Sequence, residues 1–294
     1  MAMGRIFLAG LIITGLCLAE NVQTARRRSP IVKQLGRILI ESPDPKSLFS
    51  FFADTLLIPV AWPITETNGF ASAAVGTGNV NIEVFRRTGP PQDPNRKLAG
   101  ARFAGIAMEP YALPQALREM QVEGIPYGNP QPYISTLPKG TQGVLWTMVT
   151  LPSVSGPDMS VFLFEYSSEY LNSDIRGKQL GNRLVLNGGG PLGIHSVSEI
   201  VIESADIAKD AALWQQLLGN PASSRKWQVG SGPAIRLTPG TKNGIQSIAF
   251  KVESIRKAKE FLSKNRLMGY TSADEISISP SRVQGLNIRL EQRN

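Results

Sequence analysis

Ile38-Leu39-Ile40-Glu41-Ser42-Pro43-Asp44 returns as Ile200-Val201-Ile202-Glu203-Ser204-Ala205-Asp206, 162 residues later. Each copy has three β-favouring residues, a polar turn and an aspartate placed to cap a helix. Behind the first copy, Pro45 suits the first helical position, and Leu48, Phe51, Phe52 and Leu56 recur at helical spacing. Behind the second, Leu213, Trp214, Leu217 and Leu218 form the matching face. The first helix closes on Leu56-Leu57-Ile58-Pro59 and the second on Leu218-Gly219-Asn220-Pro221, still 162 apart. Register held through strand, turn and helix means that one structural unit occurs twice.

The pattern extends outward from these copies. Residues 60–62, 70–75 and 79–85 read as strands. In the last of these, polar and apolar residues alternate, so Glu83 faces opposite to Ile82 and Val84. Residues 89–94 read as a linker. A second unit follows, with a strand at 103–108, a helix at 113–122, a long Gly- and Pro-rich loop at 124–143, and strands at 144–151 and 159–166. Gly188-Gly189-Gly190-Pro191 marks a connection; with no Lys-Ser/Thr after it and no strand before it, it is not a phosphate loop. The third unit covers 199–237, with Gly219 where a left-handed helix cap belongs. The fourth covers 247–292, and its Ile248-Ala249-Phe250 echoes Ile106-Ala107-Met108. The expectation is an α+β chain of four βαβββ modules in two tandem domains, 31–172 and 193–294, joined by a linker at 173–192.

The chain has 294 residues, enough for two domains with separate cores. A short positive start, a 14-residue apolar run at 6–19 and the small residue Ala19 have the layout of a signal peptide at 1–19. The run is shorter than the roughly 20 residues of a membrane span. Export is therefore expected, with an uncleaved N-terminal anchor as the alternative. Cys17 is the only cysteine, so a mature chain would have no disulfide and no thiolate. The formal net charge is +8, and the basic residues are dispersed apart from Arg26, Arg27 and Arg28. That triplet suits weak contact with an anionic membrane surface. No basic and aromatic residues interleave as a stripe, which argues against nucleic acid.

On the stretches 38–44, 51–59 and 78–84, the chain resembles the vicinal oxygen chelate superfamily, which includes glyoxalase I, extradiol dioxygenases and bleomycin resistance proteins. The shared pattern is a strand, an aspartate, a helix with an aromatic pair, then Leu-Gly-hydrophobic-Pro. Leu57 replaces the glycine of that pattern, whereas Gly219 keeps it in the second copy. The resemblance implies a cleft around a divalent metal, with ligands from the first and last strand of each module. Carried over, those positions are Arg37, about Gly105, Glu83 and Glu165 in the first domain. In the second they are Glu199, Arg236, Ser247 and Arg289, a more degenerate set. His195, the only histidine, lies in the connection, so no Ser-His-Asp triad can be assembled around it.

The candidate cleft is therefore lined by Arg37, Glu83 and Glu165, with Trp62, Tyr127, Tyr133 and Trp146 packing a ligand. Three functions compete. One is a small organic ligand bound without the usual His/Glu metal centre. Another is a lyase, isomerase or dioxygenase using an atypical Glu83/Glu165 site for an oxygen-loving divalent metal. The last is a structural or interaction module.

Overall fold

The computed structural model describes residues 30–67, 69–87, 98–272 and 274–293. The signal-like segment 1–19, the Arg26–Arg28 triplet and the linker expected at 89–94 lie outside the described residues.

The first half contains β1 (Val32–Glu41), α1 (Pro45–Ser50), β2 (Val60–Thr67), β3 (Phe70–Gly76) and β4 (Asn81–Arg87), then β5 (Arg102–Pro110), α2 (Leu113–Val122), β6 (Gln131–Thr136), β7 (Gln142–Thr150) and β8 (Ser160–Tyr166). These strands form one eight-stranded sheet in the order β2-β3-β4-β1-β5-β8-β7-β6. The two first strands, β1 and β5, pair antiparallel at the centre, and each pairs parallel with the last strand of its own module.

Helix α3 (Ser173–Leu186) leads to the second half: β9 (Ile194–Ser204), α4 (Ile207–Leu218), β10 (Lys226–Gln228), β11 (Ala234–Pro239), β12 (Gly244–Val252), α5 (Ile255–Lys264), β13 (Met268–Thr271), β14 (Glu275–Ile278) and β15 (Ile288–Gln292). Its seven strands run in the order β10-β11-β9-β12-β15-β14-β13. The third module closes with two strands, and the others close with three.

Local chemistry sets the repeated helices. The Asp44 carboxylate accepts the Ser47 amide at 3.1 Å, and the Asp206 carboxylate accepts the Lys209 amide at the same distance. After α1 the chain makes one wide turn, in which the Leu56 amide reaches back to the Phe51 carbonyl at 3.0 Å. Leu57 then adopts φ 56°, a left-handed conformation that glycine takes without penalty. Gly219, its counterpart, has φ 85°.

Strand alternation sorts the side chains onto two faces. Ile38, Ile40, Ile82, Val84, Ile106, Met108, Val161 and Leu163 of the first sheet join Ile200, Ile202, Ile235, Ile248, Phe250 and Leu290 of the second in one buried cluster. The helix faces of the two sheets therefore share a core. Leu39, Phe85, Ala107, Phe162 and Phe164 are buried in a separate cluster on the other face of the first sheet. That sheet curls over its own free face, which is called the cleft face below.

Two stretches differ from the sequence reading. The expected loop at 124–143 contains strand β6, which extends the sheet beyond β7. The connection at 173–192 is mostly helix, with Leu180 of α3 packed on Ala61 and Ala74 at one side of the cleft.

Candidate functional site

Arg37 of β1 is the centre of the cleft face. Its Nη1 donates to Glu83 Oε2 at 2.9 Å, and its Nη2 donates to the Tyr166 hydroxyl at 2.7 Å. Glu83 is held on its other side by Ser72 Oγ at 2.9 Å, and the Trp62 indole N–H donates to that serine at 3.2 Å. The guanidinium carbon lies 3.9 Å from the centre of the Phe164 ring, 5.3 Å from Tyr166 and 5.4 Å from Trp62. The rings supply cation–π attraction where water has been removed. The side chains are 13% and 7% exposed for Arg37 and Glu83, so neither charge could stand there alone.

The electrostatics agree with this pairing. Burial alone would lower the Arg37 pKa, but attraction to the Tyr166 hydroxyl oxygen and the Glu83 carboxylate outweighs it and raises the value above normal. Burial raises the Tyr166 pKa, against a downward pull from Arg37. The phenol is therefore neutral and the guanidinium charged at physiological pH.

A column of rings leads outward from Arg37. Phe164 stacks on Trp146 at 5.0 Å, and Trp146 stacks on Tyr133 at 4.8 Å. Tyr133 is 45% exposed and forms the outer end of the column. Beside it, at the ends of β5 and β8 and the start of α3, is a crevice of about 480 Å³ walled by Phe164, Tyr166 and Tyr111. A smaller polar cavity of about 40 Å³ adjoins it between Arg37, Tyr166 and Glu109.

Of the residues singled out by sequence, Arg37, Glu83, Trp62, Trp146 and Tyr133 come together on the cleft face. Glu165 does not. On β8, Phe162, Phe164 and Tyr166 face the cleft, so the period of two sends Glu165 to the opposite face with Val161 and Leu163. There its carboxylate accepts the Leu113 amide at 2.8 Å and caps α2. Tyr127 also lies apart, packed against the common core. Gly105 offers no donor, and a Cβ there would collide with the Ser160 carbonyl. Ser72, Phe164 and Tyr166 were not singled out. Tyr166 follows Glu165 directly, so shifting the assumed strand register by one residue would have found it.

The second domain bears a different centre. Glu199 of β9 is met by Arg236 at 2.7 Å, Lys226 at 2.9 Å and Arg289 at 3.3 Å. Arg289 also reaches Glu275 at 2.7 Å. Burial would raise the Glu199 pKa, but hydrogen bonds from Arg236 and Lys226 outweigh it and hold the carboxyl down at about 2. Among the described residues no ring lies over these cations, and Ser247 is buried beside them on β12.

These geometries define a pair of tandem modules with a central β1–β5 or β9–β12 seam, and solved structures share it. No protein-family model matches the chain, and no curated protein does. A hypothetical protein from Staphylococcus aureus is 11% identical, with 88% of this chain and 99% of that one covered at a TM-score of 0.57. A triple mutant of 4-hydroxymandelate synthase from Streptomyces coelicolor is 16% identical, with 90% and 94% covered at 0.59. Homoprotocatechuate 2,3-dioxygenase from Arthrobacter globiformis is 14% identical, with 92% and 83% covered at 0.56. The chain has the two-domain vicinal oxygen chelate fold.

The residues present do not fit the metal that the fold family implies. Arg37 brings a permanent cation to one ligand position, Gly105 brings nothing to another, and Glu165 is on the far face. Glu83 is left as the single donor, with its two oxygens already engaged by Arg37 and Ser72. Among the described residues no three His, Cys, Asp or Glu side chains are grouped to hold an ion.

Proposed function

We propose that this is an exported protein that binds a small organic molecule in its first domain without a metal centre. The observation that carries the reading is the Arg37 guanidinium, fastened by Glu83 and Tyr166 and roofed by Phe164, where the resemblance calls for a metal ligand. The crevice beside it supports a ligand role, because its volume of about 480 Å³ suits a small molecule. Phe164 and Tyr166 supply one wall for apolar contact. Export is argued from the short positive start and the apolar run at 6–19.

Two measurements test this reading. The first is the metal content of residues 20–294 after loading with Mn²⁺, Ni²⁺, Zn²⁺ or Fe²⁺, beside the Glu83→Gln/Glu165→Gln variant. Stoichiometric metal in the wild type that the variant loses would overturn the metal-free reading. The second is a screen of small aromatic compounds, following the Trp62 and Trp146 indole resonances by NMR. Saturable shifts are expected, and their absence for every compound would overturn the ligand reading. Export is checked by the N-terminal residue of protein recovered outside the cytoplasm, expected near Glu20.

A further inference from the structure

We infer that β6 is a docking edge for a second copy of this chain, the two copies joining strand to strand about a two-fold axis at Ile134. This goes beyond the ligand reading and does not depend on it.

The two sheets end in four edge strands, β2 and β6 in the first and β10 and β13 in the second. An open edge invites another strand, and proteins blunt such edges with short length, proline or charge. Strands β10 and β13 have only three and four residues. Strand β2 carries Pro63 and Glu66, and its register with β3 is irregular. Strand β6 has six residues and no charge. Its surroundings share this character: residues 124–157 hold a single charged side chain, Lys139, in a chain that is 18% charged. Depletion of charge is the compositional mark of an interface core. Large aliphatic side chains also meet water here. Ile134, 62% exposed, and its cross-strand neighbour Val144, 38% exposed, stand on one face of the hairpin.

Backbone direction sets how a partner strand pairs. The Leu137 amide bonds the Thr141 carbonyl across the β6–β7 turn. By the alternation of a strand, Ser135 and Tyr133 also turn their backbone groups toward β7, whereas Pro132, Ile134 and Thr136 turn theirs to the free edge. Pro132 therefore removes no bond from the β6–β7 ladder and blunts only one end of the edge. With Ile134 set opposite Ile134 of an antiparallel second copy, the two residues exchange both of their backbone bonds. The Thr136 amide of each copy then meets the Pro132 carbonyl of the other, so the edge is complementary to itself. This register gathers Ile134 and Val144 of both copies into one apolar patch and sets Tyr133 beside Ser135 of the second copy. No like charges face each other, because Lys139 lies beyond the strand, at opposite ends of the pair. One short edge per copy falls at the small end of specific interfaces, below roughly 1,200 Å² in total. The dimer is therefore reversible, with a dissociation constant on the order of 10–100 μM.

Sedimentation velocity of residues 20–294 from about 1 μM to about 1 mM tests this. The sedimentation coefficient is expected to climb from monomer to dimer across that range. Ile134→Lys places like charges at the axis and should raise the dissociation constant about tenfold or more, with the thermal midpoint of the monomer unchanged because the side chain is exposed. Thr136→Pro removes an outward amide, spares the β7 ladder and should weaken the dimer as well. The register is read from cysteine variants, since residues 20–294 contain no cysteine. Under mild oxidation Ile134→Cys should give a disulfide-linked dimer. Thr136→Cys should not, because its two copies stand about 14 Å apart along the strands. A monomer at every concentration would overturn the proposal. So would a dimer that Ile134→Lys leaves intact, or cross-linking through Thr136→Cys as fast as through Ile134→Cys.

Discussion

Arg37 and Glu199 occupy the same place in the two copies, 162 residues apart, and carry opposite charges. Arg37 pairs with Glu83, and Glu199 pairs with Arg236. The strand register matches: Leu39 stands opposite Glu83, and Val201, 162 residues after Leu39, stands opposite Arg236. The two domains therefore hold the same buried contact with its signs exchanged. In each, a protein cation stands at a position where the resemblance implies a metal ligand.

Breaking one of these pairs should cost more than removing it. Arg37→Ala leaves the Glu83 carboxylate, 7% exposed, with only Ser72 to answer it. A loss of about 3–5 kcal/mol is expected. Arg37→Met/Glu83→Met should recover most of it. Urea unfolding of the three proteins checks this, and a double variant no better than the single would refute the pair as the cause.

Glu199 makes the second domain sensitive to acid. Its pKa lies at about 2, against 4.5 for an ordinary glutamate. A carboxyl depressed on folding stabilises the native state above its unfolded pKa and loses that contribution as the pH falls through the folded one. Stability should therefore decline between pH 4.5 and 2, by at most about 3 kcal/mol from this group. Glu199→Gln should flatten that part of the profile. Denaturant midpoints at stepped pH provide the comparison.

Leu57 is a leucine in a conformation suited to glycine, with φ 56° and a side chain 48% exposed. Its apolar side chain gains little from burial, and the left-handed backbone costs roughly 1–2 kcal/mol. Leu57→Gly should raise stability by about 0.5–1 kcal/mol after the extra unfolded-state freedom of glycine is subtracted. The reverse change, Gly219→Leu, should lower it. Thermal midpoints of both variants decide the matter.

Glu165 caps α2 from a neighbouring strand, because Ala112 at the helix start has no side chain able to do so. Glu165→Ala should destabilise the fold by about 0.5–2 kcal/mol, with Glu165→Gln much milder. Hydrogen exchange at Leu113 would show the loss locally, and protection unchanged by the alanine would count against the cap.

The sequence made the β1–α1 and β9–α4 units legible because strand, capping aspartate and helical spacing all agree there. Glu83 could be placed because Ile82 and Val84 mark the core face of β4. The same logic failed at Glu165 because β8 reads Val161-Phe162-Leu163-Phe164, apolar on both faces, so alternation gives no parity. Strand β6 escaped notice for a related reason: nearly all its residues are exposed, so no face is marked. Helix α3 read as part of a linker because Gly188-Gly189-Gly190-Pro191 marks a connection there, and α3 itself contains Gly177 and Gly181. These glycines let the helix cross the turn at Gly78, where a Cβ on either Gly78 or Gly181 would meet the other's backbone.

The shared core has a consequence for how the molecule comes apart. Asn79 of the first domain exchanges two hydrogen bonds with the Val197 backbone of the second, at 2.7 and 3.2 Å. Gln284 of the second holds Ser42, Asp44 and Ala101 of the first. With the helix faces of both sheets pressed into one apolar interior, neither half has a water-compatible surface to present when the other melts. Heat should therefore unfold both halves in a single calorimetric peak, and cutting the chain between β8 and β9 should yield insoluble pieces rather than two working domains.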